Sequence, residues 1–466
     1  MTIGTVAAGV VNYAYTLLMT HRLTTSEFSV FAGAQSLVLV VGIVSGAAVP
    51  WVLARESAVA AVQQDTVRLR QAINFAFWAN MGVGVVASVV TGAIVASFGS
   101  SVDALLVAGT SLVLCVASTG LGLLQGRGRT TALAALVVSE VVVKFGVGLV
   151  LVSRSQPSAG GALGGALAGA CVLLVALGPA ARCIGLPRSL HTDRSLWRAA
   201  GRIGVLQVGV SVIASLDTIL AAALPSLRGA AAGYQLASTI GKVPMFISSA
   251  VSTAVFPTLV PGNAFRGRVQ ALRLYAVTSG FIWLALLTAP GDVIRGVFPA
   301  DYGSITQWLP YTASLGVALG LLNLLTTFVQ SRTTPGHSPP SSGFTAIAWA
   351  LSSTTAVMVL GAALDGVRGL AIGALSAGWL AAWLFGLLAT ERRALGAVPW
   401  RRSGRVRRAV LMAAVPAVMV VARPVPALWF AVVLAAACLV AVAAFPEFRA
   451  FADRVGRGAA RSVGRR

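Results

Sequence analysis

The chain has 466 residues, 57% of them hydrophobic and only 10% charged, with a net charge of +22. Soluble domains carry about 25% charged residues. A chain this apolar, with a mean hydropathy of +0.85, has too little polar surface to face water alone and must use lipid as part of its solvent. The four cysteines, Cys115, Cys171, Cys183 and Cys438, form no CxxC pair, and His21, His191 and His337 lie in or beside loops. Neither a disulfide framework nor a metal site follows from that spacing, and no cofactor is expected.

Apolar segments long enough to approach the roughly 20 residues of a membrane-spanning helix recur throughout the chain. In order they are 3–20, 29–53, 71–97, 102–124, 132–152, 158–180, 203–225, 230–257, 274–298, 305–330, 343–364, 367–390, 408–423 and 424–445. The first runs from Ile3 to Met19 without a basic leader, and is read as a retained helix rather than a cleaved signal peptide. The last two are short, with Pro424 and Pro426 marking the turn between them. The sequence Gly160–Ala170, GGALGGALAGA, spaces its glycines so that helix backbones can approach closely.

The basic residues give the orientation. Lys144 and Lys242 fall within apolar segments, and Arg22, Arg154, Arg228, Arg295, Arg368 and Arg423 occupy alternate connections, one each. The other 27 of the 35 basic residues lie in the remaining connections and the C-terminal tail. Lysine and arginine concentrate on the cytoplasmic side of short connections, so both termini are expected in the cytoplasm, in a multi-pass protein of the cell membrane. The positive charge is then a topology signal plus contact with anionic membrane lipids, and no nucleic-acid partner is expected.

The expected fold is all-α and polytopic, with about 14 transmembrane helices. Residues 1–180 form an N-terminal six-helix lobe and 181–202 a basic cytoplasmic connector. Residues 203–390 form a C-terminal six-helix lobe, 391–407 a basic loop, 408–445 an additional helix pair and 446–466 a basic tail. A weak internal repeat, laying Asn12 over Ser215 and Phe31 over Tyr234, supports two parallel lobes related by an axis along the membrane normal.

The stretch LLMTHRLTTSEFSVFAGAQSLVLVVGIVSGAAVPWVLARES (Leu17–Ser57) carries Leu23, Ser26-Glu27-Phe28, Phe31 and Arg55. The stretch Leu216–Leu259 carries Asp217, a small-residue turn, Gly233-Tyr234 and Pro257. In these elements the chain resembles the bacterial polysaccharide-biosynthesis membrane proteins. These are the O-antigen-type lipid-linked oligosaccharide flippases of the multidrug/oligosaccharidyl-lipid/polysaccharide exporter superfamily, which have a MATE-like fold. The Gly/Ala-rich fifth and sixth segments depart from the family. The resemblance implies two lobes in a V around a central cavity, alternating access, and a sugar carried on a polyprenyl pyrophosphate as cargo. Glycan assembly proteins are the partners it suggests.

Four ionisable side chains lie well inside apolar segments: Glu140, Lys144, Asp217 and Lys242. A charge at mid-membrane costs about 2.5–3.5 kcal/mol on insertion scales, so such residues face a cavity or a partner. Lys242 sits near the middle of the eighth segment between Gly241 and Pro244, where a proline kinks the helix, and it is the leading candidate for a pyrophosphate ligand. The other reading is a structural ion pair. Asp217 either pairs with Lys242 or binds a coupling cation. Glu140 and Lys144, at i and i+4, share a helical face and either neutralise one another or line the cavity. Arg22, beside His21, either guards the outer mouth or is a solvated loop residue. Polar side chains such as Gln35, Asn74, Asn80, Gln207 and Gln235 are candidates for sugar selectivity.

Three other functions compete, two within the same superfamily and one of a different class. A multidrug/cation antiporter would favour a carboxylate-rich cavity, whereas here acids and bases balance. A lipid II flippase would place basic residues low in the first helices, whereas the first segment has no charge before His21-Arg22. A membrane-embedded glycan polymerase or glycosyltransferase would need catalytic groups on a sizeable outer loop. The outer acids Asp103, Asp292, Asp301 and Asp365 are scattered singly, so no catalytic residue is assigned and the chain is read as a transporter rather than an enzyme.

Overall fold

The computed structural model describes residues 2–154, 157–186, 194–227, 230–255, 264–330, 341–389 and 417–438. Every regular element among them is helical. The first six are α1 (Thr2–Arg22), α2 (Thr25–Gln63), α3 (Thr66–Ala96), α4 (Ser101–Gly126), α5 (Thr130–Arg154) and α6 (Ala159–Leu173). After them come α7 (Gly178–Ala181), α8 (Arg194–Ala223), α9 (Ala232–Gly241), α10 (Val243–Val255), α11 (Ala264–Thr288), α12 (Gly291–Val297), α13 (Ile305–Gln330) and α14 (Ser341–Ala389). Among the described residues nine helical segments are long and apolar enough to cross a membrane. The protein is an all-α, polytopic membrane protein.

Local chemistry sets the helix ends. Thr24 caps α2 by accepting from the Glu27 amide, and Asp65 caps α3 by accepting from the Arg68 amide at 2.9 Å. Between them Gln64 takes the left-handed conformation, at φ 55°, and ends α2. Ser100 and Asp103 form a reciprocal capping box at the start of α4. The cap of α6 comes from another helix: Glu27 of α2 accepts from the Ala159 amide at 2.6 Å, where the Ser158 side chain makes no capping bond.

One of the expected segments is more complex than a single span. The eighth is broken into α9 and α10 at Lys242. The eleventh and twelfth run together as α14 but are two helices, joined where Asp365 and Gly366 leave helical geometry. Gly366 sits at φ 54°, which glycine adopts at no steric cost. The backbones of Gly361 and Gly369 then touch across this hairpin, leaving no room for a side chain at either position. Near the C-terminus, residues 417–422 and Pro426–Cys438 are helical around the Arg423–Val425 turn, as the two prolines predict. The basic loop 391–407, the tail 446–466 and the flanks of the helix pair lie outside the described residues.

By packing, the chain divides into two compact units, residues 1–235 and 236–466. In the first, α2 lies against α3, α4 and α8, α5 against α6, and α1 against α5. Helix α8 packs along α2 within this first unit. In the second unit α13 lies against α10, α11 and α14.

Candidate functional site

In the first unit, Asp217 of α8 is fully buried. Burying a carboxylate is costly unless hydrogen bonds replace its water. The Tyr234 hydroxyl donates to it at 2.9 Å, and the Thr218 hydroxyl lies at 3.4 Å. Gln235 continues the cluster, donating to the Thr218 carbonyl at 3.2 Å and to the Ser29 carbonyl of α2 at 3.3 Å. Asp217 therefore stands in a polar knot that ties α8, α9 and α2 together. The Ser29 hydroxyl, buried beside this knot, has no hydrogen-bond partner among the described residues.

Lys144 of α5 is also buried, and its ammonium donates to Asn12 Oδ1 of α1 at 3.0 Å. It lies over the Tyr15 ring, 5.3 Å from the centroid, a cation–π contact. Tyr15 is held by its own hydrogen bond to the Ala162 carbonyl of α6, at 2.8 Å, by an edge contact with Phe31 and by a tilted ring contact with Phe145. Glu140, one turn before Lys144 on α5, is half-buried. The glycine stripe of α6 explains how these groups are confined. A Cβ at Gly165 would stand 2.6 Å from the Lys144 carbonyl, and one at Gly169 would stand 2.7 Å from the Glu140 carbonyl. Only glycine lets α6 reach the α5 backbone there. Arg22 ends α1 on the exposed surface, where a cation complements the helix C-terminus.

In the second unit, Lys242 occupies the break between α9 and α10 and is half-buried. The break has a local cause. Pro244 has no amide hydrogen for the Ile240 carbonyl, and its ring clashes with that group. The Met245 amide instead bonds the Lys242 carbonyl at 2.9 Å. Packing holds the interruption in place. Thr312 of α13 donates to the Ala237 carbonyl at 2.8 Å, and Gly316 brings its backbone against Gly241 and the Lys242 Cα. Further along the same seam, Asn323 of α13 donates to Ser248 at 3.0 Å and to the exposed Ser249 at 3.2 Å.

Sequence reasoning marked Tyr234 only as a motif residue, and gave no site role to Asn12, Tyr15, Ser249 or Asn323. Their signal was weak: a single polar or aromatic residue in an apolar segment. Besides Gln235, two more of the sugar-selectivity candidates have hydrogen-bond partners within the fold. Asn74 accepts from the Gly185 amide at 2.9 Å and donates to the Leu186 carbonyl, fastening the start of the connector to α3. Asn80 donates to Thr119 at 2.9 Å within the α3–α4 contact.

No family model and no curated protein matches the chain. Solved structures do. The lipid II flippase MurJ in an inward closed conformation is 11% identical, with a TM-score of 0.68, covering 95% of this chain and 99% of that one. An inward-facing multidrug resistance MATE family transporter of the MOP superfamily is 14% identical, with a TM-score of 0.60, covering 84% and 95%. The eukaryotic MATE transporter AtDTX14 is 16% identical, with a TM-score of 0.52, again covering 84% and 95%. At these identities the likeness is one of fold: the chain shares the helical fold of these solved structures.

Proposed function

We propose that the protein is a flippase carrying a polyprenyl-pyrophosphate-linked oligosaccharide from the cytoplasmic to the outer leaflet, for cell-surface polysaccharide synthesis. Both termini are cytoplasmic, and the lobes 1–180 and 203–390 rock against one another to alternate access. The observation that carries the reading is the interruption at Lys242. A half-buried ammonium stands between two short helices inside an otherwise apolar segment of a transporter fold. Lysine binds phosphate as a point charge, and the seam beyond it offers Ser249 and Asn323 to sugar hydroxyls. Asp217, Glu140, Lys144 and Arg22 are assigned to the same transport path. The second reading, a lipid II-type cargo, is favoured by the structural likeness to MurJ across 95% of the chain.

Proteoliposomes holding the full chain test this with two labelled cargoes, a lipid-linked oligosaccharide and lipid II. Wild-type protein should flip the first, Lys242→Ala should lose that activity while remaining inserted, and Lys242→Arg should keep part of it. A preference for lipid II selects the second reading. Wild-type rates in Lys242→Ala remove Lys242 from the site, and flipping of neither cargo overturns the function.

A further inference from the structure

The positive-inside pattern leaves each alternate connection a single arginine, yet the second unit brings two of these together. Arg295 of α12 and Arg423 of the turn before Pro426–Cys438 line one open pocket of about 330 Å³, together with Pro290, Asp292, Val420 and Pro424. The two arginines come from connections far apart in sequence, so their convergence is a product of the fold. It is held by Trp429, which is buried and donates its indole hydrogen to the Thr288 hydroxyl at 3.2 Å, docking the C-terminal helix onto the end of α11. Thr288 stands two residues before Pro290, and Trp429 one and a half turns after the Arg423–Pro424 corner.

The charges in the pocket do not cancel. Arg295 reaches Asp292 at 2.9 Å and the Gly291 carbonyl at 3.4 Å through two of its nitrogens. Both partners of that ion pair are about 70% exposed, so it is screened and easily displaced. The Arg423 guanidinium has no protein partner among the described residues. One positive charge is therefore left over. The third such arginine, Arg368, has its own carboxylate, Asp365, at 3.9 Å. Val297, Val421, Val425 and Leu428, within five residues of the two arginines in sequence, are exposed apolar side chains. Arginines on a segment with exposed aliphatic side chains suit the boundary between hydrocarbon and headgroups.

We propose that this pocket binds a phosphate-bearing anion at the outer membrane–water boundary, with Arg295 and Arg423 gripping its phosphoryl oxygens. Planar guanidinium pairs match phosphate geometry better than any other side chain. The phosphate has two sources: the phosphodiester of a bulk anionic lipid, or the pyrophosphate of an arriving carrier lipid. Asp292 competes with the anion for Arg295. The outward side rests on the topology proposed above, but binding itself does not.

The test measures binding, not transport, so its failure is distinct from failure of the flippase reading. The purified full chain is titrated with phosphatidylglycerol, followed by native mass spectrometry, and with inorganic pyrophosphate, followed by thermal stabilisation. The Arg295→Gln/Arg423→Gln double variant should bind at least one of these probes about tenfold more weakly than wild type. Asp292→Asn should bind that probe more tightly, an increase that damage to the fold cannot produce. Loss confined to phosphatidylglycerol assigns the pocket to bulk lipid, and loss of pyrophosphate stabilisation assigns it to the carrier headgroup. Equal binding of both probes by wild type and the double variant, or no gain in Asp292→Asn, overturns the proposal.

Discussion

The Tyr234 hydroxyl donates a 2.9 Å hydrogen bond to Asp217, and neither side chain is open to solvent. Removing one partner of a buried pair strands the other, at a cost of about 1–3 kcal/mol. Tyr234→Phe should therefore lower the unfolding temperature in detergent. Tyr234→Phe combined with Asp217→Asn should lose less than the sum of the two single changes. Strict additivity would show that the carboxylate and the phenol do not depend on one another.

The Lys144–Asn12 bond joins α5 to α1 across the core of the first unit. Lys144→Met keeps the side chain's length without its charge. Asn12→Ala in the wild-type background leaves the buried ammonium without its oxygen and should destabilise by about 2 kcal/mol, while in the Lys144→Met background it should cost much less. A double-mutant cycle in a thermal assay gives the coupling. A coupling near zero would return Lys144 to pairing with Glu140 on its own helix.

Gly165→Ala adds one methyl group where the Lys144 carbonyl leaves no space. Overpacking of this kind costs about 1–3 kcal/mol, and it should push α6 away from α5. Gly178→Ala, at a position where an added Cβ meets nothing within 4 Å, is the matched control. The first should reduce the yield of monodisperse protein and the second should not.

Pro244→Ala restores the missing amide and permits α9 and α10 to join. Thermal stability should hold or rise while flipping falls, because the interruption that presents Lys242 is weakened. Transport at the wild-type rate would separate the break from function.

A polyprenyl-pyrophosphate headgroup carries about two negative charges, and the membrane potential is worth about 2.3 kcal/mol per charge per 100 mV. Outward movement therefore gains about 4.6 kcal/mol per 100 mV, enough to drive the cargo without an ion gradient. A potassium-diffusion potential, negative inside, should accelerate outward flipping with no proton or sodium gradient present. Indifference to the potential, together with dependence on sodium or protons, would move Asp217 to first place among the transport residues. In whole cells, cysteines at Ser101 and Gly366 should label from outside, and those at Ser331 and Ser403 only after permeabilisation; external labelling at Ser403 would reverse the orientation.

What the sequence determined by itself is what local chemistry controls. Hydropathy placed the chain in the membrane and located the helical segments, because desolvation of the backbone depends on a continuous run of apolar residues. Pro244, Gly366 and Pro424 marked breaks and turns, since ring closure and a missing Cβ act within a few residues of where they occur. The glycine stripe of α6 announced a close helix contact, but not that the opposing surface would be the Glu140 and Lys144 carbonyls. The partners of the buried charges were decided only in three dimensions. The i, i+4 spacing offered Glu140 to Lys144, yet the ammonium reaches Asn12, 132 residues away. Arg295 and Arg423 each read as a solitary loop residue until the docking of Trp429 on Thr288 set them around one pocket. Side chains on a helix repeat every 3.6 residues, so the sequence fixes which of them share a face; which helix that face meets is settled by packing among segments of nearly equal hydropathy.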